Sequence, residues 1–373
     1  MNNEIVIQKV ETDKDLMKFI KFPWDVYKND KNWVPPLIVD RKKVFSKVKN
    51  PFFQHAEADY FLAYKNDKIV GRIAAIKNDL HNSTHEDKVG FFGYFECMND
   101  QEVANKLFNT AAEWLKQRGL TAMRGPANPS VNDEYGMLLE GFDDPPRLLM
   151  TYNPEYYLTL CDNYGLAKIK DLYAYKLDTE KVLGSEKLAR VAEIARKRSN
   201  IVIKSLDMKN FQSELEKVKE IYNRAWEKNW GFVPMTEAEI DAMAEDLKML
   251  IEPGLVLFGE VDGKTIGFSL CMLDYNHIFK QMNGKLFPYL YKIWTKKKEI
   301  KWARVITLGV IPEFQRRGLD AVFYWENVTR AKKMGILYGE ASWILEDNAM
   351  MNRGAEVMQG EIYKKYRVYE KAL

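Results

Sequence analysis

Cysteine and histidine are too sparse in this chain to build a metal site by spacing. Cys97, Cys161 and Cys271 lie far apart with no C-x-x-C pair, and the four histidines are scattered, so no metal is expected. No run of roughly 18 apolar residues occurs, which leaves no candidate for a spanning helix. The opening Met1-Asn2-Asn3-Glu4-Ile5-Val6 has no charged stretch leading into an apolar one, so no secretion signal is expected. Charge of one sign is also lacking. A net +3, from 56 Lys and Arg against 53 Asp and Glu, does not make a nucleic-acid binder, and any basic patch must be local. The expected setting is the cytoplasm, or the inner face of a membrane.

With 373 residues the chain exceeds the ~250 that one core usually serves, so two domains are expected. Two halves read alike. In the second, residues 201–206 form a strand, and the apolar spacing of Phe211, Leu215, Val218, Ile221, Tyr222 and Ala225 makes a helix. Thr236 and Glu239 are spaced as a capping box. Residues 255–261 and 265–273 form a hairpin over Asp262-Gly263. A strand at 304–310, a helix to about Lys333, a strand at 338–345, a short helix from Asp347 and a strand at 363–371 complete this half. The first half repeats the order. It has a hairpin over Asn66-Asp67, a strand at 91–97, a helix from Gln101 to Arg118 with Asp100 as N-cap, and strands at 122–124 and 169–177. A helix starting near Ser185 joins the halves, so the expected domains are 1–184 and 185–373.

Gln315-Arg316-Arg317-Gly318-Leu319-Asp320, between a strand and a helix, is the most specific motif. Backbone N–H groups at a helix start, flanked by two guanidinium groups, suit a pyrophosphate. Gly318 lets the backbone approach an anion closely. The Gly count fits neither a P-loop nor a Rossmann turn. The first half has acidic Met98-Asn99-Asp100-Gln101-Glu102 in the corresponding place, so one cofactor per chain is expected, in the second half.

Two further stretches invite ligands. Residues 125–146 and 152–157 combine Pro126, Pro129, Pro145, Pro146 and Pro154 with hydrogen-bonding side chains, including Asn128, Asn132 and Tyr135, the expected substrate contacts. Residues 276–304 hold eight basic residues against Glu299 alone, interleaved with Phe279, Phe287, Tyr289, Tyr291, Trp294 and Trp302. Leu286, Leu290 and Ile293 follow a helix-like spacing around Pro288. Basic heads on aromatic bodies suit an anionic membrane surface, so peripheral contact through 279–302 is expected. The other reading is a lid whose aromatics pack inward.

The strand–turn–helix around Gln315 and Gly318 resembles the acyl-CoA pyrophosphate loop, Q/R-x-x-G-x-G/A, of the Gcn5-related N-acetyltransferase (GNAT) superfamily. Asp320 departs from it, standing where the family has Gly or Ala. N-P-F-F-x-H-A-E-A at 50–58, G-F-F-G-Y-F-E-C at 90–97 and Y-K-K-Y-R-V-Y-E-K at 363–371 resemble a bacterial tandem-GNAT group that includes ceramide synthases. The resemblance implies an α/β (mixed α+β) fold of two tandem lobes, each a twisted, mostly antiparallel sheet flanked by helices. It implies acyl-CoA or acetyl-CoA as co-substrate, held by Leu308, Val310, Gln315, Arg316, Arg317, Gly318, Asp320, Ala321 and Asn348. The family's Tyr in N-x-x-A-x-x-L-Y is absent, since Ala355 stands in its register. Glu340 and Glu346, on one face of an extended strand by period two, are the expected proton acceptors, with His277 an outside candidate. The implied activity is N-acylation, with a long acyl chain, of an amine such as a long-chain base. The alternatives are acetylation of a small soluble amine and CoA binding without turnover.

Overall fold

The computed structural model describes residues 4–227 and 229–373, so Met1 to Asn3 of the opening stretch lie outside the described residues, as does Lys228. In chain order the strands are β1 (Ile5–Lys9), β2 (Ala56–Lys65), β3 (Lys68–Asn78), β4 (Val89–Cys97), β5 (Ala122–Gly125), β6 (Ala127–Asn128), β7 (Glu134–Tyr135) and β8 (Met137–Glu140). There follow β9 (Ala167–Asp178), β10 (Val202–Ser205), β11 (Val256–Val261), β12 (Lys264–Leu273), β13 (Trp302–Val310), β14 (Tyr338–Leu345) and β15 (Glu361–Ala372).

The chain divides into two units. The first comprises residues 1–171, 279–290 and 364–373, and the second 172–278 and 291–363. The first unit's sheet runs β1-β2-β3-β4-β5-β15, with β8 also on β15, and only β4 and β5 are parallel. Helix Gln101–Lys116 covers it, burying Val103, Leu107, Phe108, Ala111 and Leu115 at helical spacing against Ile73, Ala75 and Phe92. Asp100 caps that helix, accepting from the N–H groups of Glu102 (3.0 Å) and Val103 (3.4 Å). The second unit's sheet runs β9-β14-β13-β12-β11-β10, again with one parallel pair, β13 and β14. Helix Leu319–Lys333 packs on it through Leu319, Val322 and Phe323. Thr236 and Glu239 form the capping box. Both expected hairpins turn through left-handed pairs, Asn66-Asp67 and Asp262-Gly263.

The last strands are exchanged. The sequence places 169–177 at the close of the first lobe, but β9 pairs antiparallel with β14, from Tyr338↔Asp178 to Leu345↔Leu172. The chain's final strand, β15, instead enters the first unit, pairing Tyr369↔Gly125 through Ala372↔Ala122. There Lys364, 1% exposed, donates to the carbonyls of Asp144 (2.5 Å) and Pro145 (3.0 Å), pinning the proline-rich loop.

Candidate active site

The second unit's sheet forks. β13 and β14 stay paired only from Trp302↔Tyr338 to Val305↔Ala341. Beyond, β13 runs on to Val310 with its β14-facing edge unpaired. On its other side Cys271 opposes Val305 and Leu270 opposes Thr307, so Ile306 is the extra residue of a bulge at the fork. Such a bulge turns main-chain groups out of the ladder. Leu308 is half-buried there and Val310 is buried.

Beyond the end of β13 the chain turns into helix Leu319–Lys333. Gln315 fixes the turn, its Nε2 donating to the Val310 carbonyl at 2.9 Å. Arg316 (φ +59°) and Gly318 (φ +75°) are both left-handed. A Cβ at Gly318 would find its nearest neighbour 3.5 Å away, so conformation rather than space calls for glycine. The N–H groups of Arg316, Arg317, Gly318 and Leu319 meet no acceptor among the described residues. A turn of this kind before a helix gathers N–H groups into a concavity that suits an anion. Both guanidinium groups are exposed beside it, that of Arg317 lying 4.8 Å over Phe314.

Two of the expected cofactor contacts are engaged otherwise. The Ala321 N–H donates to the Gly318 carbonyl at 3.2 Å, closing the first helical turn. The Asn348 side-chain oxygen accepts from the Met351 N–H at 3.1 Å as N-cap of helix Ala349–Val357. Asp320 faces the first turn: burial pushes its carboxyl up, and the N–H groups of Ala321 and Asp320 itself pull it back down. Its N–H partners are not those of residues 316–319, so it opposes an anion there through like charge alone.

Glu340 and Glu346 do not share a face. Ala341 opposes Tyr175 and Ile344 opposes Tyr173, so β14 carries one residue too many across that step. The bulge reverses the alternation, leaving Glu340 and Ile344 on opposite sides of β14, and the strand ends before Glu346. Glu340 is wholly buried and accepts from Ser342 Oγ at 2.7 Å and from the Tyr363 hydroxyl, with Arg304 Nε at 3.4 Å. Arg304, 3% exposed, also donates to Ser342 Oγ at 2.9 Å. No lone pair of Glu340 faces an opening, and its chemistry is to neutralise Arg304. Glu340→Gln removes a buried carboxylate from beside the buried Arg304 guanidinium and should cost about 3–5 kcal/mol in urea unfolding. Unchanged stability with lost turnover would return Glu340 to the proton-transfer machinery. Glu346 is half-buried just past the end of β14. His277 is half-buried, and burial lowers its pKa.

Sequence reasoning missed Tyr324. Ala355 is 1% exposed, and beside it a Cβ at Gly354 would lie 3.1 Å from the Tyr324 hydroxyl. That buried phenol donates to Met351 Sδ at 3.7 Å, so a tyrosine from the preceding helix stands beside the position the resemblance gives to one. The legible signal was the pair of small residues, Gly354-Ala355.

The first unit has the same strand plan with its fork filled. β4 and β5 pair only from Val89↔Ala122 to Phe91↔Arg124, and β4 bulges after Gly93. A Cβ at Gly93 would overlap the Ala127 carbonyl. Tyr94 is left-handed (φ +49°), and its N–H points to Asn128 Oδ1 at 2.6 Å. Asn128, an expected substrate contact, therefore caps its own unit's bulge, with Nδ2 on Glu134 at 3.4 Å. Tyr135 is buried and its hydroxyl has no hydrogen-bond partner among the described residues, whereas the Asn132 N–H donates to Ser130 Oγ at 3.1 Å. A cofactor in this fork would have to displace residues 127 and 128.

No family model matches the chain. The bacterial ceramide synthase of Caulobacter vibrioides (strain NA1000 / CB15N) is 38% identical over 386 aligned residues, covering 100% of this chain and 98% of that protein. Protein YghO of Escherichia coli (strain K12) is 33% identical over 368 residues, 96% of this chain and 93% of that one. Among solved structures, a tandem GNAT protein from the clavulanic acid biosynthesis pathway superposes with a TM-score of 0.58 at 12% identity, over 99% of this chain and 98% of that one. A probable N-acyltransferase from Enterococcus faecalis V583 gives 0.53 at 8% identity, over 99% and 73%. At those identities the two structures speak for the fold alone.

Proposed function

The chain belongs to the tandem-GNAT N-acyltransferase family that contains the Caulobacter bacterial ceramide synthase, and from that premise we propose that it N-acylates a long-chain amine, of the sphingoid-base type, with a long-chain acyl-CoA. The observation that carries the substrate class is the full-length identity to a protein of that name. The forked β13–β14 pair leading to four unclaimed N–H groups supports the donor.

Acyl-CoA brings the activated thioester; the residues described here bind, orient and move protons. Arg316, Arg317 and the N–H groups of residues 316–319 receive the diphosphate. Leu308 and Val310 offer the unpaired edge of β13 to the arm, and N–H groups at the Ile306 bulge are the donors available to a carbonyl oxygen as it gains charge. Glu346, at the open arm of the fork, takes the proton from the attacking amine. An amine of this class resides in a bilayer, which residues 279–302 would meet.

The test is a donor comparison with sphinganine as acceptor. Palmitoyl-CoA should be consumed and free thiol released, with acetyl-CoA a poor substitute. Preference for acetyl-CoA and a soluble polyamine would replace the lipid reading. CoA binding without turnover of any amine would leave a CoA sensor.

A further inference from the structure

We infer that the chain docks on an anionic bilayer surface through the short helix Lys292–Thr295 of the second unit, with Tyr291 and Trp294 entering the headgroup zone. The aromatics of this stretch sort sharply: Phe279, Tyr289 and Trp302 are half-buried, whereas Tyr291 is 55% and Trp294 57% exposed. Only one other aromatic among the described residues stands out as far, Phe287 at 73%, a few residues earlier in the chain and in the first unit. The chain otherwise keeps its aromatic rings at least partly covered, so this exposure is confined to one segment.

Ile293, 3% exposed, anchors the helix from below. Tyr291 and Trp294 are three apart, on one helical face. Tyrosine and tryptophan suit an interface because each has an apolar body and a polar end. The charge around them selects the surface. Lys292, Lys296, Lys297, Lys298 and Lys301 stand against Glu299, which lies 3.8 Å from Lys296. Glu252 neutralises Lys297 at 2.7 Å, while Lys298 and Lys301 have no ion pair among the described residues. Excess lysine beside exposed aromatics is complementary to anionic lipid headgroups. No helix among the described residues is long and apolar enough to cross a membrane, so contact of this kind would be peripheral.

This inference deepens the lipid-amine reading and rests on it for its purpose, but its test needs no turnover. The full chain is sedimented with vesicles of phosphatidylcholine alone and of phosphatidylcholine mixed with phosphatidylglycerol, with CoA affinity measured on the same preparation. Binding should require phosphatidylglycerol, fall as salt rises, and drop at least ten-fold in the Tyr291→Ser/Trp294→Ser variant with CoA affinity unchanged. Lys298→Glu should lower it by five-fold or more. Absent binding, equal binding to both vesicle types, or undiminished binding by a folded double variant overturns the inference. Retention on a single-stranded oligonucleotide with no vesicle binding overturns it in favour of nucleic acid. Vesicle binding without CoA binding would sink the enzymatic reading and leave docking intact.

Discussion

Ending the chain at Gly360 should unfold the first unit, although every residue removed lies at the far end of the sequence. β15 is the partner of both β5 and β8 in that unit, so its loss takes away β8's ladder and leaves β5 with β4 alone. It also exposes the pockets of Tyr366, Val368 and Tyr369, all 1% exposed or less. At about 1.5–3 kcal/mol for each such side chain, the lost burial alone approaches the roughly 5–15 kcal/mol that holds an ordinary domain together. Arg367 leaves Asp171, which it grips at 2.8 and 3.0 Å, and Lys364 releases the loop carbonyls. Amide exchange at 122–125 and 137–140 should become fast, and the shortened chain should aggregate. A soluble 1–360 chain with an unchanged melting temperature would show that β15 is dispensable. The same strand plan means that a cut between Gly184 and Ser185 parts β15 from β5 and β9 from β14.

That exchange could not be read in the sequence, and the reason is physical. Residues 169–177 and 363–371 have the alternation of sheet strands, but alternation reports which side chains face inward and says nothing about which neighbour supplies the ladder. The hairpins over Asn66-Asp67 and Asp262-Gly263, the Asp100 cap and the Thr236 capping box were legible because each is written in a few adjacent residues. The turn through Gln315 and Gly318 into the helix was legible for the same reason. Period two failed at β14, where one inserted residue put Ile344 on the face opposite Glu340 and the strand ended before Glu346. Burial failed to declare itself too. Glu340 looks like any strand glutamate until Arg304 and Tyr363, distant in sequence and on other strands, are seen around it with its own strand's Ser342. In the proline-rich loop, composition identified an ordered polar segment, yet Asn128 turns inward to Tyr94, a contact that depends on a bulge the sequence does not announce. The helix-like spacing near Pro288 became only a three-residue 3-10 turn, Tyr289–Tyr291, and a four-residue helix, Lys292–Thr295.

Replacing both Arg316 and Arg317 with Glu should weaken CoA binding by about 100-fold or more. A charge-assisted contact to phosphate is worth roughly 1.5 kcal/mol or more, so losing two removes about 3 kcal/mol, and the new carboxylates add repulsion. Both side chains are exposed, and neither guanidinium is in an ion pair among the described residues, so the fold should survive and the melting temperature should move little without ligand. Screening gives a second signature: the wild-type affinity should fall as salt rises, and the double variant should lose most of that dependence. Asp320→Ala should act in the opposite direction, because it removes a like-charged carboxyl next in sequence to the N–H groups of residues 316–319. Calorimetry with CoA itself separates these effects from chemistry. Equal affinity in the wild type and the double variant would place the diphosphate away from residues 316–319. Weaker binding in Asp320→Ala would instead make that carboxyl a support of the turn.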